Sequence, residues 1–119
     1  GYDGVRRLSH LVGPSMVKEI FFTARQFSAQ EAYDMGLANR VLPAQMLEAY
    51  VSDYAKRISE NAPMTMASIK SITHEIAKEE SSQDLERIAA EVKACFDSKD
   101  YIEGRRAFME KRKPDFKGE

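Results

Sequence analysis

The sequence predicts a mainly α fold over residues 1–119, and three observations predict it. Only six Gly and four Pro interrupt the 119 residues, too few breakers for a turn-rich β fold. Apolar residues recur three and four positions apart along most of the chain, which is the period of one helix face. Ser28 and Ser98 stand just ahead of such runs, where helix N-caps are wanted.

The elements follow in order. Val5, Leu8, Leu11 and Val12 make a short first helix. Gly13-Pro14-Ser15 punctuates it, and Pro14 suits the first turn of the next helix, where its missing N–H has no partner to lose. Met16, Val17, Ile20 and Phe21 give that helix its apolar face. Ser28-Ala29-Gln30-Glu31 reads as a capping box, the Ser hydroxyl accepting from the Glu31 N–H while the carboxylate reaches back. Gly36 ends this helix where a left-handed residue is wanted, and Leu37 to Leu42 reads as a brief extended piece before Pro43.

Leu47, Tyr50, Val51, Tyr54 and Ile58 share one face of the next helix, opposite Glu48, Asp53 and Lys56. Asn61-Ala62-Pro63 breaks it and opens another, with Met66, Ile69, Ile72, Thr73 and Ile76 expected to face inward. Ser81 and Ser82 punctuate before Leu85, Ile88, Ala89, Val92 and Phe96. Asp97-Ser98 caps a last helix carrying Tyr101, Ile102 and Phe108, ended by Pro114. The expectation is about five to seven helices in one domain, with no repeat and no linker.

Composition narrows the function classes. Leu, Ile, Val and Phe make 25 of 119 residues, just above the roughly 20% below which disorder is the default. A net charge of −1 gives no bulk attraction to nucleic acid or anionic lipid. A single cysteine, Cys95, rules out an internal disulfide framework and a multi-cysteine zinc site. No apolar run approaches the roughly 18 residues of a membrane span, and no signal-peptide pattern opens the chain, so a cytoplasmic location is expected. Gly1 has no initiator Met before it, which suggests a sequence cut from a longer chain.

The residues offer no catalytic constellation and no metal site of their own. His10 and His74 are far apart, neither with a second ligand at metal spacing. Cys95 falls on the apolar face with Val92 and Phe96 and reads as core packing. Glu79 and Glu80 are adjacent and point to different sides of a helix, so they form no acid–base pair. Gly1-Tyr2-Asp3-Gly4 lacks the strand context and third glycine of a dinucleotide loop. Glu75 to Glu91 carries six acids against two bases and reads as a solvated helix face. One cluster stands out: Phe108, Lys111, Arg112 and Lys113 place an aromatic beside three cations at a helix end. Two readings stay open there. The cations complement the helix dipole, or they bind an anion, with Phe108 packing a planar base or apolar chain and Lys111 meeting a phosphate.

The tail from Phe96 to Phe116 resembles the ending F-x-S-x-D-x-x-E-G-x-x-A-F-x-E-K-R-x-P-x-F of the enoyl-CoA hydratase/isomerase (crotonase) superfamily. Ser28-Ala29-Gln30-Glu31-Ala32 through Gly36-Leu37-Ala38-Asn39-Arg40-Val41 resembles the family block S-A-x-E-A-x-x-x-G-L-V-x-x-V, and Ala62-Pro63 with Lys70 resembles a third. Gly1-Tyr2-Asp3-Gly4-Val5-Arg6-Arg7-Leu8 resembles the segment P-G-x-G-G-x-x-R-L, which lies past mid-chain in the family.

The resemblance implies the C-terminal helical (trimerisation) domain of the crotonase-like α/β fold, the upstream β/α spiral core being absent from this chain. It implies no catalytic residue here, because the family's two catalytic glutamates and oxyanion-hole N–H donors precede this segment. The parent would be an enoyl-CoA hydratase adding water to 2-enoyl thioesters in fatty-acid or related acyl-CoA degradation. Acyl-CoA would be its substrate, with no separate cofactor, and it would self-associate as a trimer or dimer of trimers. Residues matching Phe108 and Lys111 help to bind coenzyme A, and Tyr2 and Asp3 would lie by the acyl pocket. Asp3 departs from a frequent glycine there, which admits another acyl chain or reaction. Ala24 also replaces a frequent glycine, a change expected to be without consequence. Alternatives are a non-catalytic helical assembly module, or an isomerase, hydrolase or other reaction of the superfamily, since fold analogy cannot choose among them.

Overall fold

The computed structural model describes residues 1–119. It contains six α-helices and no strand: α1 (Tyr2–Thr23), α2 (Ala29–Asp34), α3 (Ala44–Ser59), α4 (Pro63–Ile76), α5 (Leu85–Asp97) and α6 (Lys99–Met109), with a 3-10 turn at Glu80–Ser82 between α4 and α5. The chain divides into two compact units, Gly1–Glu48 and Ala49–Glu119.

In the first unit, the two helices expected on either side of Gly13 form one element broken at that residue, whose φ of 81° and ψ of 155° are non-helical. Only glycine adopts such a backbone without steric penalty, and Pro14 then restarts the helix. The capping box is present as read: the Glu31 N–H donates to Ser28 Oγ at 3.2 Å and the Ser28 N–H to the Glu31 carboxylate at 2.8 Å. Arg25 adds what the sequence did not announce. It bridges Glu19 and Glu31, each at 2.9 Å, and lies over the Phe27 ring. The Ser28 backbone bond and then Arg25 hold the Glu31 carboxyl down at about 2.

Gly36 takes φ +80°, as its position past α2 requires. The extended piece expected at Leu37 to Leu42 is not a strand; no second strand lies there to pair it, and the segment is turn and irregular backbone. Ala24 corrects a second expectation. It is the C-cap of α1 at φ 49°, its N–H donating to the Ile20 carbonyl at 3.2 Å. That is a left-handed position, so alanine in place of glycine carries a steric cost.

In the second unit α4 packs on α5 and α5 on α6. Pro63 occupies the first turn of α4, as expected. The face of α4 that is buried is not the one the apolar spacing selects. Ser68 and Glu75 are buried, whereas Ile69, Thr73 and Ile76 are exposed, with Met66 and Ile72 between. The reason is a polar junction. Glu75, only 2% exposed, pairs with Lys78 at 2.7 Å, accepts the Asp84 N–H at 3.0 Å and pairs with Arg87 of α5. Arg87 also reaches Ser71 at 2.7 Å and Glu91. This junction turns the Glu75-bearing face of α4 toward α5. The stretch Glu75 to Glu91 is therefore no continuous solvated face, and Glu79 and Glu80 lie at the 3-10 turn, not within a longer helix.

α6 is held at both ends. Ser98 caps it, accepting from the Tyr101 N–H at 3.1 Å. The Lys99 and Asp100 N–H groups of its first turn donate to the Glu119 carbonyl at 2.7 and 3.2 Å. In return Asp100, 4% exposed, accepts from the Lys117 and Gly118 N–H groups at 2.7 and 2.8 Å. Residues 115–119 thus lie as a strap along α6. The Phe116 ring lies over Gly104, at ordinary contact distance from where a Cβ would stand.

Candidate functional site

The site builds from the C-terminal end of α6. Ala107 is 1% exposed and anchors the last turn, while Phe108 beside it is 82% exposed. The helix stops at Met109, so Lys111 does not continue it. Lys111 takes φ +52°, its N–H donates to the Phe108 carbonyl at 3.2 Å, and the Arg112 N–H donates to the Ala107 carbonyl at 3.0 Å. Those two bonds define a Schellman motif with lysine in the left-handed position usually given to glycine. Phe108 and Lys111, three positions apart, therefore do not share a helix face. They are neighbours because the chain folds back through this turn.

Of the three cations at this helix end, two are taken up in ion pairs. Arg112 pairs with Glu103 through two bonds, 2.5 and 3.0 Å, and with Glu110 at 2.6 Å. Lys113 pairs with Glu60 at 2.5 Å, and Lys117 with Asp115 at 2.8 Å. Arg112 first, then the Asp115 N–H at 3.0 Å, hold the Glu103 carboxyl down at about 2, while Glu103 and Glu110 push the guanidinium further up. Among the cations just past α6, Lys111 has no carboxylate within ion-pair distance. The arrangement is therefore an exposed ring at the helix end followed, one turn on, by a lysine without a carboxylate partner, the two cations after it being paired.

Phe108 also edges an apolar groove of about 650 Å³ between α4, α5 and α6. Ile69, Ile72, Val92, Phe96 and Phe116 line it, and Cys95 joins them, half-buried at the groove and not in the core where the apolar face placed it. The volume lies within the roughly 300–1,000 Å³ of small-molecule sites. Tyr2 and Asp3 belong to the first turn of α1 in the first unit, both exposed, and neither lines this groove. His10 and His74 are exposed on α1 and α4, and no three His, Cys, Asp or Glu side chains converge as a metal site.

A sequence model of the family described as "Enoyl-CoA hydratase/isomerase" matches residues 1–119. The chain belongs to this family. Among its enoyl-CoA hydratase/isomerase relatives, the methylmalonyl-CoA decarboxylase of Escherichia coli (strain K12) is 39% identical over 97% of this chain and 45% of its own length. The crotonyl-CoA hydratase of Syntrophomonas wolfei is 34% identical over 98% of this chain and 45% of its own. The crystal structure of an enoyl-CoA hydratase from Bacillus anthracis matches with a TM-score of 0.80 at 35% identity, covering all of this chain and 46% of that one. The chain spans about half the length of the relatives it matches and corresponds to their C-terminal, helical region. No helix is long and apolar enough to cross a membrane.

Sequence reasoning named Phe108 and Lys111 but missed Glu103 and Asp100, which shape the turn and the strap around them. Their signal was a pairing across nine and more positions, which local spacing does not reveal.

Proposed function

We propose that this chain is the C-terminal helical part of an enoyl-CoA hydratase, supplying self-association surface and part of the coenzyme A site. One observation carries the reading: in the turn that follows exposed Phe108, Lys111 has no carboxylate partner, whereas Arg112 and Lys113 on its C-terminal side are both paired. Phe108 offers its face to adenine or pantetheine, and the Lys111 ammonium donates to a phosphate. Tyr2 and Asp3 stand at the acyl end on this reading. The reaction, addition of water to a 2-enoyl thioester, would use carboxylates and oxyanion donors in the part of family proteins that precedes this segment.

Support for self-association comes from apolar faces with nothing against them. Leu47, Val51, Tyr54 and Ile58 of α3 are each about half exposed, and Phe21 and Phe22 of α1 more so. Exposed apolar patches of this kind mark contact surfaces. A trimer or dimer of trimers of the full-length protein would cover them.

A second reading, decarboxylation of an acyl-CoA, is favoured by the 39% identity to the methylmalonyl-CoA decarboxylase and by Asp3 in place of the glycine of many hydratases. The experiment is a comparison of crotonyl-CoA and methylmalonyl-CoA with the full-length protein. Loss of enoyl absorbance supports hydration, and release of carbon dioxide with no hydration replaces it by the second reading. In either case Lys111→Ala should weaken transition-state binding by about 1–3 kcal/mol. The effect should appear mainly in KM, since the contact is remote from the reacting carbons, and shrink at high salt. An unchanged KM with a lost oligomer would make Lys111 a structural helix-end cation.

A further inference from the structure

We propose that Glu103 is a positioning residue for the coenzyme A contact: by clamping Arg112 it fixes the left-handed turn at Lys111 and keeps the adjacent guanidinium from competing with that ammonium. The inference rests on the reading of Phe108 and Lys111 as coenzyme A ligands.

The turn itself is the starting point. A non-glycine residue at φ +52° is held in a sparsely populated conformation, and such a conformation persists only when its surroundings over-determine it. The two backbone bonds of the Schellman motif close the turn but also form in helix ends that fray. The residue that follows Lys111 is fixed much more firmly. Arg112 meets Glu103 in a two-bond fork, and Glu103 also accepts the Asp115 N–H at 3.0 Å. Glu103 sits on the body of α6, with its side chain only 20% exposed. One carboxylate on the helix therefore pins residues 112 and 115, and the chain has little freedom to place Lys111 anywhere but over the end of α6.

The same clamp decides which cation is available. Arg112 is satisfied by Glu103 and Glu110, and Lys113 by Glu60. A free guanidinium next to Lys111 would compete for the same phosphate with bidentate geometry. With Arg112 and Lys113 occupied, Lys111 is the one cation of residues 111–113 left open to a phosphate. A glycine at 111 would form this turn without strain, so the lysine side chain is carried there at a conformational cost.

The test must separate position from charge. The double variant Glu103→Gln/Arg112→Gln removes the clamp and leaves the net charge unchanged. Coenzyme A is titrated calorimetrically into the full chain, and folding of each variant is followed by circular dichroism. The expected result is roughly tenfold weaker binding, with Lys111→Ala adding little in the clamp-free background because both changes remove one contact. Parent-like affinity in a folded double variant overturns the proposal. So does a loss that simply adds to that of Lys111→Ala, since the clamp would then act elsewhere. Lys111→Ala with parent-like affinity instead removes the coenzyme A reading on which the proposal rests. If the double variant does not fold, hydrogen exchange of the unmodified chain decides. Protection of the Lys111 and Arg112 amides without coenzyme A shows a turn set in advance. Protection appearing only with coenzyme A makes the ligand, not Glu103, the organiser of the turn.

Discussion

Two turns of this chain use the same device and end differently. Between α4 and α5, Glu75 takes an arginine and a backbone N–H nine residues on; after α6, Glu103 takes an arginine and a backbone N–H twelve residues on. In each case hydrogen bonds hold the carboxyl at about 2, led by Lys78 for Glu75 and by Arg112 for Glu103. The first junction closes on itself: Lys78, Arg87 and Glu91 are all paired and Glu75 is buried. The second leaves one cation and one ring unspent, Lys111 and Phe108. The same carboxylate–arginine clamp can thus close a junction on itself or leave a neighbouring cation unpaired.

The largest effect that separates the two turns is on stability. Glu75→Ala removes a buried carboxylate that accepts from Lys78, Arg87 and the Asp84 N–H. It leaves a cavity and an unpaired backbone donor where the carboxylate stood, although Arg87 keeps Ser71 and Glu91. Its thermal midpoint, read by circular dichroism, should fall further than that of Glu103→Gln. Equal shifts would show that burial does not distinguish the junctions.

Acid should reveal both at once. Each carboxyl is held at about 2, against an ordinary 4.5 that the unfolded chain is expected to show. A folded-state value below the unfolded one stabilises the fold fully above about 4.5, and that contribution is lost as pH falls from there towards 2. Helix content followed through this window should drop, and Glu75→Gln and Glu103→Gln should each flatten the pH dependence by a similar amount, since the two shifts are alike. A parent whose stability is level from pH 5 to 2 would contradict the ionised clamps.

Smaller effects come from the two left-handed residues that are not glycine, Ala24 and Lys111. Lys111→Gly should raise stability by about 1 kcal/mol while weakening coenzyme A binding as Lys111→Ala does. A gain in stability with no loss of binding would leave the lysine without a role. Ala24→Gly should stabilise by about 1 kcal/mol or less and leave binding unaltered. A destabilised Ala24→Gly would mean that the alanine methyl makes compensating contacts.

Much of the fold was legible because it is set by neighbours in sequence. Ser28 with Glu31, Gly36, Pro63 and Ser98 act over one turn of backbone, and all four perform the capping or breaking role their types and positions announce. The tail from Phe96 to Phe116 also placed the chain in its family. The inward face of α4 was not legible. Ile69 and Ile76 match the helical period as well as any core residue, yet the Glu75–Arg87 junction, formed across twelve positions, orients the helix otherwise.

The sequence by itself determined the helices, most of their ends and the family, because caps, breakers and apolar periods act through local backbone geometry. It also supplied Phe108 and Lys111 as residue types suited to an aromatic and phosphate-bearing ligand. Tertiary structure decided that Lys111 lies beyond the helix, that Arg112 and Lys113 are taken, and that Lys111 alone among them stays open. Those outcomes depend on which carboxylate a long flexible cation meets. Glu103 and Glu60 come within reach only after α6, the tail and the end of α3 have been folded into place.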